Sequence, residues 1–298
     1  MKIKHLFSSR TLVRTVCLAA ALGIATLSQA APKKVLVVTV TTGFHHSSIP
    51  TAEKVLGELA QESGAFTVDY ARVNPDAPEF KLPNGKPDTN AIEQAIKAVL
   101  AEKMSAEALK NYDGVIFANT TGDLPLPDKQ AFLDWIKSGK AFIGMHSATD
   151  TFRGHKPLDP YSEMIGAEFK EHHAQVSVDC INQDTKFPAC QHLGPNWEVF
   201  DEIYLMNGFD RSKVHGLLML DKHPNDKTPG DFPVAWCKMY GAGKVFYTSL
   251  GHREDLWDPN TPAKFERKNS KEVSAAYRKH ILGGIKWALG LEPGSANP

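Results

Sequence analysis

The sequence predicts an α/β protein built on a mostly parallel sheet, with a β-rich insertion in its second half. Three observations predict it. Short, continuously apolar runs recur as KKVLVVTV (33–40), DGVIFANT (113–120) and AFIGMHS (141–147), the pattern of strands buried on both faces. Segments of helical periodicity lie between them, and strand–helix alternation at this spacing indicates βαβ units. After about residue 170 the strands follow one another with fewer helices between.

The first run leads into PTAEKVLGELAQES (50–63), which places Ala52, Val55, Leu56 and Leu59 on one helical face. Pro50 suits a first turn, Ser47 or Ser48 is a candidate cap, and Gly64 is a stop signal. FTVDYA (66–71) is a second strand. ARVNPDAPEFKLPNGKPD (71–88) is rich in proline, glycine and acid and reads as a long loop. AIEQAIKAVLAEK and SAEALKNY are helical, and 113–120 is the third strand. LPDKQAFLDWIKSG is again a helix, with Pro127 early and Gly139 just past its end; 141–147 is the fourth strand. HAQVSVDC, EVFDEIYLM and VHGLLMLD read as further strands. PVAWCKMY and KVFYTSL read as a hairpin turned on Gly241 and Gly243. SKEVSAAYRKHILGGIKWALG closes the chain as a helix that the Gly283–Gly284 pair is expected to loosen. With no repeat or interdomain linker, residues 31–298 read as one domain.

The 298 residues, 42% hydrophobic, are enough to bury a sizeable core. Acidic and basic residues are equal at 34 each. Residues 1–30 hold Lys2, Lys4, Arg10 and Arg14 and no acid, so the remainder is net acidic. That argues against a nucleic-acid partner, which needs a basic face to displace counterions. The basic start, the short apolar run VCLAAALGIATL and the small residues Ser28 and Ala30 read as a secretory signal cleaved after Ala30. The alternative is an uncleaved anchor. The expected destination is the periplasm or the exterior, with no membrane segment after cleavage. Export bears on Cys180 and Cys190, which flank INQDTKFPA. They either close a small loop as a disulfide or remain two free thiols. Cys237 reads as packing within a strand.

In open parallel sheets, ligands bind beyond the carboxyl ends of the strands. Just past the predicted ends stand His45 and His46, then Thr121, Gly122 and Asp123, then His146, Ser147 and Asp150, then His252, Arg253 and Glu254. EFKEHHAQ adds Glu171, His172 and His173 ahead of a strand. One loop histidine is more often solvated than functional, and Asp123 could serve its own turn. Six histidines in such places make a joint case. FIGMHSATD has the form of a nucleophile elbow, but the exposed position is His146, neither serine nor cysteine. An imidazole there can bind a metal, accept a proton or hydrogen-bond a carbonyl.

Together TTGFHHSSI, IFANTTGDLP, AFIGMHSATDT, EFKEHH, DEIYLMN and PVAWCKMYGAGKVFYTSLGH resemble the ThuA-like family, named for trehalose utilisation. The resemblance runs from about Lys33 to Leu291. It implies a fold similar to the class I glutamine amidotransferases, a flavodoxin-like three-layer α/β sandwich. By position it picks out His46, His146, Asp150, His172, Glu202, Trp236, Tyr247 and His252. The elbow cysteine of the amidotransferases is replaced by His146, so glutaminase activity is not implied. Carbohydrate metabolism is implied instead, on sugars, glycosides or keto-sugars. A divalent metal, zinc or similar, would suit imidazole ligands.

The expectations are therefore these. His146, His252, Asp150 and Glu202 carry acid/base chemistry. His46, Asp123 and Trp236 contact a small carbohydrate ligand. His46, His146, His172 and His252 hold the metal. No nucleotide cofactor is evident, and the oligomeric state is left open. The reaction would be hydrolysis, elimination or isomerisation; the alternative is a periplasmic sugar-binding or accessory protein without turnover.

Overall fold

The computed structural model describes Met1, residues 31–260 and residues 266–298. The leader expected over residues 1–30 lies, Met1 apart, outside the described residues. The chain divides into Met1–Ala31 and Pro32–Pro298, and the fold below is that of the second unit.

Its first half contains β1 (Lys33–Val38), α1 (Ile49–Ser63), β2 (Phe66–Ala71), α2 (Thr89–Lys103), α3 (Ala106–Leu109), β3 (Gly114–Ala118), α4 (Lys129–Lys137) and β4 (Ala141–Met145). Then follow α5 (Pro160–Ile165), β5 (Glu168–His172), β6 (Val176–Asn182), β7 (Asn196–Asp201), β8 (Tyr204–Asn207) and β9 (His215–Lys222). The last elements are β10 (Pro229–Tyr240), β11 (Gly243–Thr248), α6 (Glu254–Trp257) and α7 (Lys271–Ala288).

Nine strands form one sheet in the order β2-β1-β3-β4-β11-β10-β9-β6-β7. The first five run parallel, in the flavodoxin-like order. The last four are antiparallel, so most of the β-rich half extends the sheet. Among the strands of the described residues, only β5 and β8 pair apart from it.

Alternation along each strand builds two cores, one per face. Val35, Val37, Ile116, Ile143 and Phe246 pack with Ala52, Val55 and Leu56 of α1 and Ile281 and Ile285 of α7. Leu36, Val38, Val115, Phe117 and Phe142 point the other way, against Ile96 of α2, Phe132 of α4 and Tyr161 of α5. The result is the three-layer α/β/α sandwich that the resemblance implied. Each βα crossover leaves its strand at the same edge, so the loops after β1, β3, β4 and β11 gather at one end of the sheet.

Two local expectations change, and one left open takes the second of its alternatives. Ser48 holds the cap position of α1 but makes no side-chain cap; its hydroxyl instead donates to Gly251 O at 3.2 Å. The Gly283–Gly284 pair does not loosen α7, which is continuous. A Cβ on Gly283 would sit 2.3 Å from Pro188 O, and one on Gly284 2.4 Å from the Phe246 ring. The two glycines let the helix lie close on its neighbours. Cys180 and Cys190 are buried free thiols, consistent with Cys180 in the apolar face of β6. Gly64 ends α1 as expected, in the left-handed conformation.

Candidate functional site

The loop after β1 carries His46 and is pinned on the loop after β3. Thr42 N donates to Thr121 O at 3.0 Å, and the Thr121 hydroxyl donates to Phe44 O at 2.9 Å. Gly43 allows this approach, since a Cβ there would lie 3.0 Å from Thr121 Oγ1. His46 itself is buried, with Nδ1 3.4 Å from the Ser147 hydroxyl.

The elbow at the end of β4 has the expected shape. His146 takes φ +48°, a left-handed conformation that costs a non-glycine residue about 1–3 kcal/mol. Tyr247 fixes this turn by donating its hydroxyl to His146 O at 2.7 Å. His146 Nδ1 lies 2.9 Å from Ser249 O. A carbonyl only accepts, so Nδ1 carries the proton and Nε2 keeps its lone pair. That lone pair faces His252 Nδ1 at 3.3 Å.

Glu202 enters from the turn between β7 and β8. Its Oε2 lies 3.2 Å from His252 Nδ1 and 3.8 Å from His146 Nε2, and its Oε1 lies 3.1 Å from His172 Nδ1. One ligand atom from each of His46, His146, Glu202 and His252 lies within 4.8 Å of the others. This cluster can hold a metal ion. Three neutral imidazoles and a carboxylate are a donor set for first-row divalent ions.

The electrostatics prepare that donor set. Burial, then repulsion from His252, His45 and His172, lowers His46 to about 3. Burial and the neighbouring histidines likewise lower His146 well below the ordinary imidazole value. Both rings are neutral at pH 7 and can donate lone pairs. Burial alone would lower His252 as well. The hydrogen bond to Glu202 and the charges of Asp201, Glu202 and Glu254 outweigh burial and raise it.

His46, Glu202 and His252 of the cluster line a cavity of about 320 Å³, walled also by Phe44, Asp150, Arg153, Phe169, His172 and Tyr204, while His146 is fully buried. This volume falls at the lower end of small-ligand sites. Phe44 is 65% exposed and meets His46 edge-on at 4.7 Å. Opposite, the Arg153 guanidinium lies 5.0 Å over the Phe169 ring and pairs with Asp150. Burial raises the Asp150 carboxyl even though Arg153 opposes the shift.

Of the predicted site residues, the structure brings His46, Asp150, His172, Glu202 and His252 to this cavity, and His146 joins them through the buried cluster. His172 is outside the ligand cluster. It is half-exposed, and its imidazole reaches the carboxylate of Glu202, so Glu202 takes the fourth place expected of it. Asp123 lies elsewhere: it is exposed and pairs with His155 at 3.0 Å. Trp236 has no exposed surface. Its indole stacks near Tyr247 and donates to Ile165 O at 2.8 Å, so it presents nothing to a ligand. The walls Phe44, Arg153, Phe169 and Tyr204 had no sequence signal beyond lying near marked residues. Asp201 was also missed; its buried carboxylate accepts from Gly251 N at 2.7 Å and His252 N at 3.3 Å.

Fold and site define an α/β sandwich protein with a histidine–glutamate centre at the carboxyl end of its parallel strands. The family model described as trehalose utilisation, ThuA, matches residues 34–288. The chain belongs to the ThuA family, whose description points to a carbohydrate-related role. Among solved structures it is similar to a putative ThuA-like protein from Parabacteroides merdae ATCC 43184, with TM-score 0.60 and 17% identity over 90% of this chain and 93% of that one. A putative ThuA-like protein from Bacteroides uniformis ATCC 8492 gives TM-score 0.59 and 16% identity over 89% and 95% of the two chains. At these identities the likeness shows the fold. No curated protein matches the sequence.

Proposed function

We propose that this protein is an exported, metal-dependent enzyme of carbohydrate metabolism acting on a sugar, glycoside or keto-sugar. The observation that carries the reading is the convergence of His46, His146, Glu202 and His252 in one cluster, of which His46, Glu202 and His252 line a ligand-sized cavity. The leader sequence supports a periplasmic or secreted location. Aromatic faces beside polar hydrogen-bonding groups suit a sugar ring, which is apolar on its faces and polar at its edge.

His46, His146, Glu202 and His252 would hold the ion. A divalent cation there supplies Lewis-acid polarisation of a substrate oxygen. The remaining roles belong to the walls. His172 Nδ1 faces two acceptors, Glu202 Oε1 at 3.1 Å and His173 O at 3.1 Å. It therefore holds its proton at Nδ1 and offers Nε2 as a base. Asp150, with its carboxyl raised by burial, can return a proton to a leaving or rearranging oxygen. Arg153 and Asp150 can bind hydroxyls, and Phe44 and Phe169 can cover the ring faces. These roles fit hydrolysis, elimination or isomerisation.

The test is metal analysis of the purified protein beside turnover on a panel of glycosides and keto-glycosides. The expected result is about one equivalent of divalent metal, lost with turnover in His146→Ala and Glu202→Ala. Metal content and activity unchanged in those variants would overturn the site. Bound sugar without turnover would favour the binding-protein reading.

A further inference from the structure

Asn119 lies among the loops that carry the three histidines of the cluster. It stands just past β3, is fully buried, and takes φ +58°. Its main-chain N donates to Met145 O at 3.2 Å, directly before His146. Its side-chain Nδ2 donates to Ser48 Oγ at 2.7 Å, two residues after His46. The same Nδ2 donates to Gly251 O at 3.2 Å, directly before His252. The Ser48 hydroxyl and Trp257 Nε1 also donate to Gly251 O, at 3.2 and 2.8 Å. A carbonyl cannot donate, so the amide nitrogen and not Oδ1 must face Gly251.

From these contacts we infer that Asn119 is a positioning residue, which sets the three histidine-bearing loops of the candidate metal centre in register. One residue hydrogen-bonds to the chain within two residues of each histidine. Asparagine tolerates the left-handed conformation better than most residues, and its two amide hydrogens serve two loops at once. The residue Gly251 is the shared point. Its oxygen receives Asn119, Ser48 and Trp257, while its nitrogen is held by Asp201, the neighbour of Glu202. His252 N, of the peptide that follows Gly251, also donates to Asp201, at 3.3 Å. Gly251 takes φ +129°, and a Cβ there would lie 2.8 Å from the Tyr277 hydroxyl. The peptide before His252 therefore has one orientation, and Asn119 ties it to the loops of the other two histidines.

The inference rests on the metal-centre reading, and the experiment separates the two. Cobalt(II) is titrated into the wild-type protein, Asn119→Ala and Ser48→Ala, following the visible d–d spectrum and competition with a chelator. Circular dichroism and thermal melts of the metal-free proteins confirm folding. Groups that orient metal ligands change affinity by about 10- to 100-fold. The expected result is that loss for Asn119→Ala, with a shifted cobalt spectrum, and a smaller loss for Ser48→Ala. Folded Asn119→Ala with wild-type affinity and spectrum would overturn the inference alone. Should Asn119→Ala not fold, Ser48→Ala decides: unchanged affinity and spectrum overturn the inference, and a loss with a shifted spectrum supports it. A wild-type protein that binds no cobalt overturns the metal reading, and the inference with it.

Discussion

His172 and His252 share one carboxylate: Glu202 offers Oε1 to Nδ1 of the first at 3.1 Å and Oε2 to Nδ1 of the second at 3.2 Å. The two histidines thus stand on opposite sides of the same group, one within the ligand cluster and one outside it. Replacing each should have a different result. His252→Ala should abolish stoichiometric metal binding. His172→Ala should weaken it by about 10- to 100-fold, as expected for a partner that orients a ligand. Equal losses measured by chelator competition would place His172 in the cluster.

Metal uptake should release protons. His252 is raised by Glu202 and the nearby acids against the effect of burial, and a ligand nitrogen must be unprotonated. Binding should therefore weaken as pH falls through the His252 titration, with up to one proton displaced per ion at low pH. Calorimetry in two buffers of different ionisation enthalpy reads this directly. A binding enthalpy independent of buffer at pH 6 would show that His252 enters the reaction already neutral.

Acid should destabilise the metal-free fold. His280 is buried and lowered to about 4, with Nδ1 on Ala189 O at 2.9 Å and Nε2 on the Thr248 hydroxyl at 3.2 Å. His46 is lowered to about 3. Unfolded imidazoles titrate near 6.5, so the unfolded state binds more protons below that value, and stability falls with pH. Asp201, raised to about 6 by burial, acts in the opposite sense between about 4 and 6. His146, lowered by burial as well, joins the histidines, and Asp150, raised by burial, joins the carboxyl; the three lowered histidines outweigh the two raised carboxyls and leave a net loss of stability as pH falls. Urea midpoints at pH 7, 6 and 5 should decline in that order; a flat series would contradict the buried neutral state.

Two aromatic residues should separate stability from recognition. Trp236→Ala removes a fully buried indole and should cost about 3–5 kcal/mol. Phe44→Ala removes an exposed ring and should change stability by less than about 0.5 kcal/mol. If Phe44 faces a sugar ring, its loss should raise KM roughly 2- to 10-fold on an accepted glycoside. An unchanged KM would remove Phe44 from the binding wall.

The three thiols among the described residues should be inert. Burial pushes Cys190 up to about 12, and raises Cys180 and Cys237 further. Thiolate is the reactive form, so a thiol reagent should label none of them until the protein is unfolded. Reductant should leave the melting temperature unchanged. A fall in that temperature would show that Cys180 and Cys190 are joined.

The sheet was legible because its parallel strands are buried on both faces and so read as unbroken apolar runs. His46, His146 and His252 were legible because the residue after such a strand falls at the ligand-binding edge. Trp236 was misread for the same reason in reverse. It lies inside β10, where register shifts interrupt pairing between Pro233 and Trp236, and the side chain turns into the core against Tyr247. Asp123 marks the correct strand end, but its loop carries it out to His155. Asn119 gave one faint sign, an asparagine at the close of an apolar run, where a left-handed residue often begins a turn. What sequence could not give was its reach to three other loops, which depends on strands adjacent in space but far apart in the chain.

The four candidate ligands follow β1, β4, β7 and β11, which are far apart along the chain. No local fragment contains two neighbouring halves of the centre, and a chain ending before His252 would lack it altogether. An occupant bound by all four therefore recognises only the finished fold. By mass action, an ion present at 100 times its dissociation constant would add about 2.7 kcal/mol to the native state and nothing to partly folded chains. Occupancy would then act as a seal on completed folding as well as on chemistry.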